Sequence, residues 1–231
     1  MAPSLLLLWR LLMNPLPVIR DAWFFFTRNL ATIATLCLPW IMLESLVQYV
    51  LASNSGPDTS PAYSIIVGLL FYPLYTGALI IFLAARSSGE QPGIANVLAL
   101  TFKLWPRFAV LSALSTLLIM LGISLMVIPG LYVMVKLAFS EYLLVLRSLT
   151  PLAAIRDSFT LTGGHFARIL LCVMCVMVPL WSLDLLSYNL AGKDNELLMF
   201  AIDCGNGFLQ LFASVVTFRL FMLISGETAR G

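Results

Sequence analysis

Six long apolar segments follow one another along this sequence and constrain its fold more than any other feature. They cover residues 30–51, 62–85, 106–128, 131–146, 166–188 and 197–224. A helix needs about 20 apolar residues to cross a bilayer, so a chain of 231 residues can hold six spans. The fourth segment is the shortest and contains Lys136 and Glu141, and a re-entrant hairpin is the alternative there.

The composition excludes the common soluble classes of protein. Apolar and aromatic residues make up 61% of the sequence and charged residues 10%, whereas soluble domains have about 45–50% and about 25%. A chain of this size cannot hide so much apolar surface from water. We therefore predict an all-α polytopic membrane protein with six transmembrane helices, a single transmembrane domain over residues 1–231, and no nucleic-acid partner.

The basic residues predict how the spans are oriented. Cytoplasmic loops of membrane proteins are enriched in Lys and Arg. With six crossings, eleven of the thirteen basic residues fall on one side, and Lys136 and Lys193 are the exceptions. The eleven are Arg10, Arg20, Arg28, Arg86, Lys103, Arg107, Arg147, Arg156, Arg168, Arg219 and Arg230. We predict six spans with both termini in the cytoplasm, and we interpret Pro129-Gly130 as the tight turn between the third and fourth spans.

A repeated motif precedes two of the pairs of spans. Residues 15–23 and 151–159 share the pattern P-L-x-x-I-R-D-small-aromatic, and a looser third copy begins at Pro92. Such a motif is typical of a short amphipathic helix that lies in the membrane interface. In the first copy, the apolar face at helical spacing consists of Leu16, Ile19, Trp23 and Phe26.

We predict three short interfacial helices, each followed by two spans. Because each unit crosses the membrane twice, the three units would be parallel repeats around an axis along the membrane normal. Their approximate bounds are residues 15–85, 92–147 and 151–224.

Four arginines near the predicted interfaces are candidates for contacts with lipid phosphates. The guanidinium fork matches the geometry of a phosphate group. The four are Arg20, Arg28, Arg156 and Arg168. Anchoring of the motif in the interface without any ligand is the alternative interpretation.

Charged residues within the spans give the strongest indication of function. Each costs roughly 2.5–3.5 kcal/mol at the centre of a span, so we expect them to face protein or water and to be paired. We predict that Glu44, Asp184 and Asp203 share a depth with Lys136 towards the side of the membrane opposite the cytoplasm, and that Lys136 pairs with these acids across helices. Glu141 lies nearer the middle of the membrane.

These residues predict a polar cavity that opens to the same side of the membrane, opposite the cytoplasm. The sixth span contributes a polar stripe at spacings of three and four residues. The cavity residues are Glu44, Lys136, Glu141, Asp184, Asp203, Asn206 and Gln210. The alternative is a structural salt bridge with hydrogen bonds between helices, each worth about 0.6 kcal/mol on average.

The sequence contains no motif of a soluble enzyme. The only histidine, His165, stands at a predicted interface, which disfavours a triad or a metal cluster built around histidine. Cys172 and Cys175 form a C-x-x-C pair inside an apolar segment, where cysteine usually packs as a small apolar residue. We predict no catalytic residue, no metal site and no cofactor.

Three stretches of the sequence resemble the YciC family of bacterial inner-membrane proteins. They are Val-Ile-Pro-Gly-Leu-Tyr-Val at residues 127–133, the following Lys136 and Glu141, and residues 151–162. A similar pattern occurs in the membrane domain attached to some glycerophosphodiester phosphodiesterases. The resemblance implies a six-span plasma-membrane protein of a Gram-negative bacterium with a role in the envelope. It implies no catalytic residue, and the phosphodiesterase activity does not carry over because this chain lacks that domain.

Together these features predict a non-enzymatic integral inner-membrane protein with a role in envelope maintenance. We expect it to handle lipids or small solutes through the cavity. The alternative is a structural or scaffold protein in which the buried charges only stabilise the helix bundle. Membrane lipids are the expected partners, and contacts with other inner-membrane proteins and the oligomeric state are left open.

Overall fold

The protein is helical in the part of the chain that the structure describes. The computed structural model describes residues 15–54, 62–191 and 196–228. Arg10, Lys193 and Arg230 lie outside these residues. The helices are α1 (Leu16–Arg28), α2 (Leu30–Asn54), α3 (Ala62–Ser87), α4 (Ile94–Leu125), α5 (Val127–Leu137), α6 (Ser140–Arg147), α7 (Pro151–Leu161), α8 (Phe166–Ala191) and α9 (Glu196–Thr228).

Within these ranges, six segments are long and apolar enough to cross a membrane, which confirms the predicted fold class. They are Leu30–Leu51, Tyr63–Ser87, Ile94–Leu125, Val127–Arg147, Phe166–Asn189 and Leu198–Gly226. Large apolar side chains on these segments stay exposed. Leu125, Val127 and Ile128, where α4 meets α5, are exposed by 75–78%. Such an apolar surface is unfavourable in water and favourable in contact with lipid.

The middle interfacial helix of the sequence prediction does not form a separate element. α4 runs continuously from Ile94 to Leu125 and includes Pro106. Its 32 residues extend over about 48 Å at 1.5 Å per residue, well beyond the roughly 30 Å of a hydrocarbon core. The residues predicted as an interfacial helix, including the buried Val97 and Thr101, form the first turns of this long helix. That part of the prediction is wrong.

The other two predicted interfacial helices form as α1 and α7, and they bury matching positions of the repeated motif. Val18, Ala22 and Phe26 are buried in the first copy, and Ala154, Ser158 and Thr162 occupy the corresponding positions of the second and are also buried. This buried face differs from the predicted apolar face, since Leu16 and Trp23 are more than half exposed. The difference arises because the buried face of each short helix packs on protein.

The leading helix of each predicted unit packs on the last span of another unit. α1 packs on α9, where Trp23 meets Phe212 edge-on with ring centroids 5.5 Å apart. The first turns of α4 pack on α3, where the methyl group of Thr101 faces Gly77, and α7 packs on α6. This is the packing that three parallel units around an axis would produce. The repeat arrangement itself stays a prediction.

The third and fourth spans are joined at Met126 and not at Pro129-Gly130. Met126 is extended, with φ −170° and ψ 162°, between α4 and α5. Pro129 lies in the first turn of α5, where its missing N–H costs no helical hydrogen bond. Gly130 lets α5 approach α4 closely at Gly122. The interpretation of Pro129-Gly130 as the turn is therefore wrong.

The fourth span is interrupted near its middle. α5 ends at Leu137 and α6 begins at Ser140, with Ala138 and Phe139 in a turn between them. The Ser140 hydroxyl donates to the Leu137 carbonyl at 2.6 Å, which satisfies one backbone group freed by the break. The whole segment Val127–Arg147 remains long and apolar enough for a membrane span.

Candidate functional site

Five of the predicted cavity residues line one cavity of about 520 Å³ between α2, α8 and α9. α2 contributes Glu44, α8 contributes Asp184, and α9 contributes Asp203, Asn206 and Gln210. The three residues of α9 follow one another at spacings of three and four, which places them on one face of the helix. We call this space the acidic cavity.

Neutral donors hold the two aspartates of the acidic cavity. Asn206 donates its side-chain amide to Asp184 Oδ1 at 2.5 Å and to the Ser187 hydroxyl at 3.0 Å. The Tyr188 hydroxyl donates to Asp203. These contacts tie α8 to α9 without adding positive charge to the cavity.

Glu44 is held in the same way, by neutral side chains of α2 and α3. Gln48 donates its amide to Glu44 Oε1 at 3.3 Å, and the Tyr75 side chain also hydrogen-bonds to this carboxylate. A Cβ atom added at Gly68 would lie 3.7 Å from Glu44 Oε1, in ordinary van der Waals contact, so α3 passes close beside the carboxylate. The acidic cavity therefore collects hydrogen-bond acceptors from three spans.

Glu141 lines a second cavity of about 280 Å³, which we call the inner cavity. The Tyr72 hydroxyl donates to Glu141 Oε1 at 2.9 Å. Tyr75, Gly207 and Gln210 line both cavities, so the acidic cavity and the inner cavity adjoin. Six of the seven predicted cavity residues thus line these two neighbouring cavities.

Lys136 is the exception, and its predicted pairing with the acids is wrong. Its Nζ donates to the Phe159 carbonyl at 3.1 Å and lies 5.6 Å from the centroid of the Tyr132 ring. Lys136 lines neither the acidic cavity nor the inner cavity. The prediction considered only the depth of Lys136, whereas the packing of α7 on α5 and α6 brings the end of α7 to this side chain.

Lys136 therefore stabilises the carbonyl end of α7, where a cation is favourable. Replacing Lys136 by methionine keeps the length of the side chain and removes this charged hydrogen bond. We expect the free energy of unfolding to fall by about 1.5–3 kcal/mol, the usual worth of a hydrogen bond to a charged group. Denaturation followed by circular dichroism in detergent measures this change.

Lys103→Met is the matched control for this prediction. Lys103 is exposed on α4, so its replacement should leave the unfolding free energy within about 0.5 kcal/mol of wild type. Equal stabilities of Lys136→Met and Lys103→Met would show that the contact with Phe159 contributes nothing.

The sequence analysis missed the polar face of α3. Tyr75 and Thr76 lie three and four residues after Tyr72 on this helix, which includes Pro73, and all three line the inner cavity. The signal was present in the sequence, because the same spacing revealed the polar stripe of α9. A tyrosine side chain is apolar except at its hydroxyl, so this face does not stand out among the apolar residues of α3.

The four arginine candidates lie on three different helices. Arg20 and Arg28 are exposed on α1, Arg156 is exposed on α7, and Arg168 is half-buried on α8. The Arg28 guanidinium lies 5.9 Å from the centroid of the Phe24 ring. Contacts of these arginines with lipid phosphates stay a prediction.

The chemistry that the site offers is hydrogen bonding and negative charge. Among the described residues there is no group of three His, Cys, Asp or Glu that could hold a metal ion. Cys172 and Cys175 are free thiols, the first buried and the second exposed. A ligand with N–H or O–H donors, or with a positive charge, complements the acceptors of the acidic cavity.

Comparison with known sequences gives the family of this chain. The pattern of an uncharacterised protein family, UPF0259, matches residues 58–223, which is more than half of the 231 residues. The chain is 26% identical over 155 residues to a UPF0259 membrane protein of Photorhabdus laumondii, covering 66% of this chain and 59% of that protein. It is 29% identical over 105 residues to UPF0259 membrane proteins of Yersinia pestis and Yersinia pseudotuberculosis, covering 46% of this chain and 40% of each.

The chain therefore spans between 40% and 59% of the length of these curated relatives. No solved structure matches it. The match to the family pattern includes α3 to α8 and most of α9, together with the polar residues that these helices bring to both cavities. This chain belongs to the uncharacterised membrane protein family UPF0259.

Proposed function

We propose that this protein is a non-enzymatic component of the bacterial inner membrane that binds the polar headgroup of a lipid, or a small polar solute, in the acidic cavity. The cavity would open to the periplasmic side, with residues 15 and 228 on the cytoplasmic side. A role in envelope maintenance, as the YciC resemblance implies, belongs to the same proposal.

The observation that carries this proposal is the convergence of polar side chains from three spans on one space. Carboxylates within a membrane are expensive, and here Glu44, Asp184 and Asp203 line a cavity instead of packing against one another. Its volume of about 520 Å³ lies within the usual range for small-molecule sites, about 300–1,000 Å³. The preferred ligand carries hydrogen-bond donors or a positive charge, as an amine-bearing headgroup does.

A structural role is the second candidate, and the hydrogen bonds within the cavity favour it. Asp184, Asp203 and Glu44 each accept a bond from a neutral side chain of the protein. In that case the acids serve only to hold α2, α8 and α9 together. The two candidates differ in whether a defined molecule stays with the folded protein.

Asp184→Asn separates the two candidates because it removes the charge and keeps the shape of the side chain. The asparagine can still accept the bond from Asn206, so we expect this variant to fold. Native mass spectrometry of the purified proteins should show a defined mass bound to wild type. We expect its occupancy to fall about tenfold in the variant, which corresponds to a loss of about 1.4 kcal/mol of binding free energy.

Glu90→Gln is the control, since Glu90 is exposed and lies between α3 and α4. It should retain the bound mass at wild-type occupancy. Equal occupancy in all three proteins, with lower stability of Asp184→Asn alone, would support the structural role and exclude binding in the acidic cavity.

A further inference from the structure

Three hydroxyl groups beside the inner cavity have no hydrogen-bond partner among the described residues. Thr76 Oγ1 and Ser115 Oγ line the inner cavity, and Ser112 Oγ lines a neighbouring cavity of about 370 Å³ that shares Ser115 and Glu141 with it. Thr76 is only 1% exposed and Ser112 only 5%. A buried hydroxyl that makes no hydrogen bond is unfavourable. Their convergence on one region indicates that a polar occupant completes it.

Glu141 faces the same region without a countercharge. Its carboxylate accepts a hydrogen bond from the neutral Tyr72. Lys136 lies only five residues earlier in the chain but donates to the end of α7. No basic side chain of the described residues lines the inner cavity or its neighbour. A buried carboxylate without a cationic partner is costly, so a positively charged occupant would be strongly favoured here.

The break in the fourth span adds a third feature. Leu137 and Ala138, where α5 ends, line the inner cavity together with Glu141. The carbonyl end of a helix carries a partial negative charge, and broken spans in transporters use such ends to coordinate cations. The inner cavity thus combines one carboxylate, one helix carbonyl end and neutral hydroxyl groups.

We propose that the inner cavity binds one monovalent cation, with Glu141 as the charged ligand and the hydroxyls of Thr76 and Ser115 as neutral ligands. One carboxylate balances one positive charge, whereas Ca²⁺ sites usually gather several carboxylates. The cavity of about 280 Å³ has room for a cation with several waters, since each water occupies about 30 Å³. The cation is a free inorganic ion such as Na⁺ or the primary ammonium group of a solute or headgroup. This site is distinct from the acidic cavity and does not depend on a ligand there.

The test is thermal unfolding of the purified full chain in detergent at constant ionic strength. Choline chloride is replaced stepwise by NaCl in one series and by ethanolamine hydrochloride in another. A cation that binds only the folded state raises the unfolding midpoint with concentration, and we expect this rise in wild type. A response to NaCl identifies an inorganic ion and a response to ethanolamine an ammonium group. No response in either series overturns the proposal.

Two variants locate the effect in the inner cavity. Glu141→Gln should abolish the response, and Thr76→Val should weaken the apparent affinity roughly tenfold, as expected for one lost hydrogen bond. Thr101→Val is the matched control, because Thr101 is equally buried but bonds within its own helix to the Val97 carbonyl at 2.8 Å. Its response should equal that of wild type.

Thr76→Val also tests the proposal if Glu141→Gln fails to fold. If the Thr76 hydroxyl were only an unsatisfied group, its removal would raise the midpoint equally in every salt and leave the full cation response. That result would overturn the site as proposed, with Thr76 as a ligand.

Discussion

Gly130→Ala is expected to destabilise the packing of α4 against α5 by about 3 kcal/mol, the upper part of the range for overpacking in a folded protein. A Cβ atom at Gly130 would lie 2.4 Å from Ile123 Cγ1 and 2.9 Å from the Ile123 backbone nitrogen. The side chain of Ile123 could rotate away, but its backbone nitrogen could not. The two helices would have to separate along the contact that Gly122 and Gly130 form.

The measurement is the midpoint of chemical or thermal unfolding in detergent, with Gly205→Ala as the control. Gly205 lies in α9, and a Cβ atom added there meets nothing within 4 Å. Alanine also has a higher helix propensity than glycine, so Gly205→Ala should match or slightly exceed the stability of wild type. A Gly130→Ala variant as stable as Gly205→Ala would contradict the close contact between α4 and α5.

Gly130 shows what the sequence could and could not predict where α4 meets α5. Pro129-Gly130 fits the statistics of a tight turn, and hydropathy correctly placed a connection between two spans nearby. Proline is equally compatible with the first turn of a helix, and glycine with a close crossing of two helices. Only the position of α4 beside α5 decides between these roles.

The spans and the polar stripe of α9 could be predicted because both depend on patterns within one segment. The period of Asp203, Asn206 and Gln210 places them on one face of α9 wherever that helix lies. The prediction that these three residues lie near Glu44 and Asp184 depended only on the depth of each residue in its span. The structure places all five residues around the acidic cavity.

The position of Lys136 could not be predicted in this way. Counting residues from the end of a span gives a depth but not the partner of a side chain, and the partner of Lys136, the Phe159 carbonyl, lies 23 residues further along the chain. The break in the fourth span between Leu137 and Ser140 is equally hidden from such a count. No proline or glycine marks this break in the sequence. A serine from α7, Ser158, satisfies its backbone, and a contact between residues 19 positions apart leaves no local pattern.

Ser158 stabilises the break through two buried hydrogen bonds. Its hydroxyl donates to the Lys136 carbonyl at 2.6 Å and accepts from the Phe139 backbone N–H at 3.2 Å. Ser158 has no exposed surface, so water does not replace these bonds readily. The corresponding position of the first motif copy is Ala22, next to which no interrupted helix lies. Alanine at this position is therefore compatible with the short helix of the motif. The hydroxyl of Ser158 serves the break between α5 and α6.

Ser158→Ala is expected to lower the free energy of unfolding by about 2–4 kcal/mol, because a buried donor and a buried acceptor lose their partner at about 1–3 kcal/mol each and relax in part. The lost hydrogen bonds hold the turn that positions Ala138 and Glu141 at the inner cavity. We therefore expect the cation response to weaken together with the free energy of unfolding. Unfolding in detergent measures both effects.

Ser182→Ala is the control, since the Ser182 hydroxyl is exposed and bonds only to the Val178 carbonyl of its own helix. If both alanine variants unfolded at the wild-type midpoint, the break would have to be held by α5 and α6 alone.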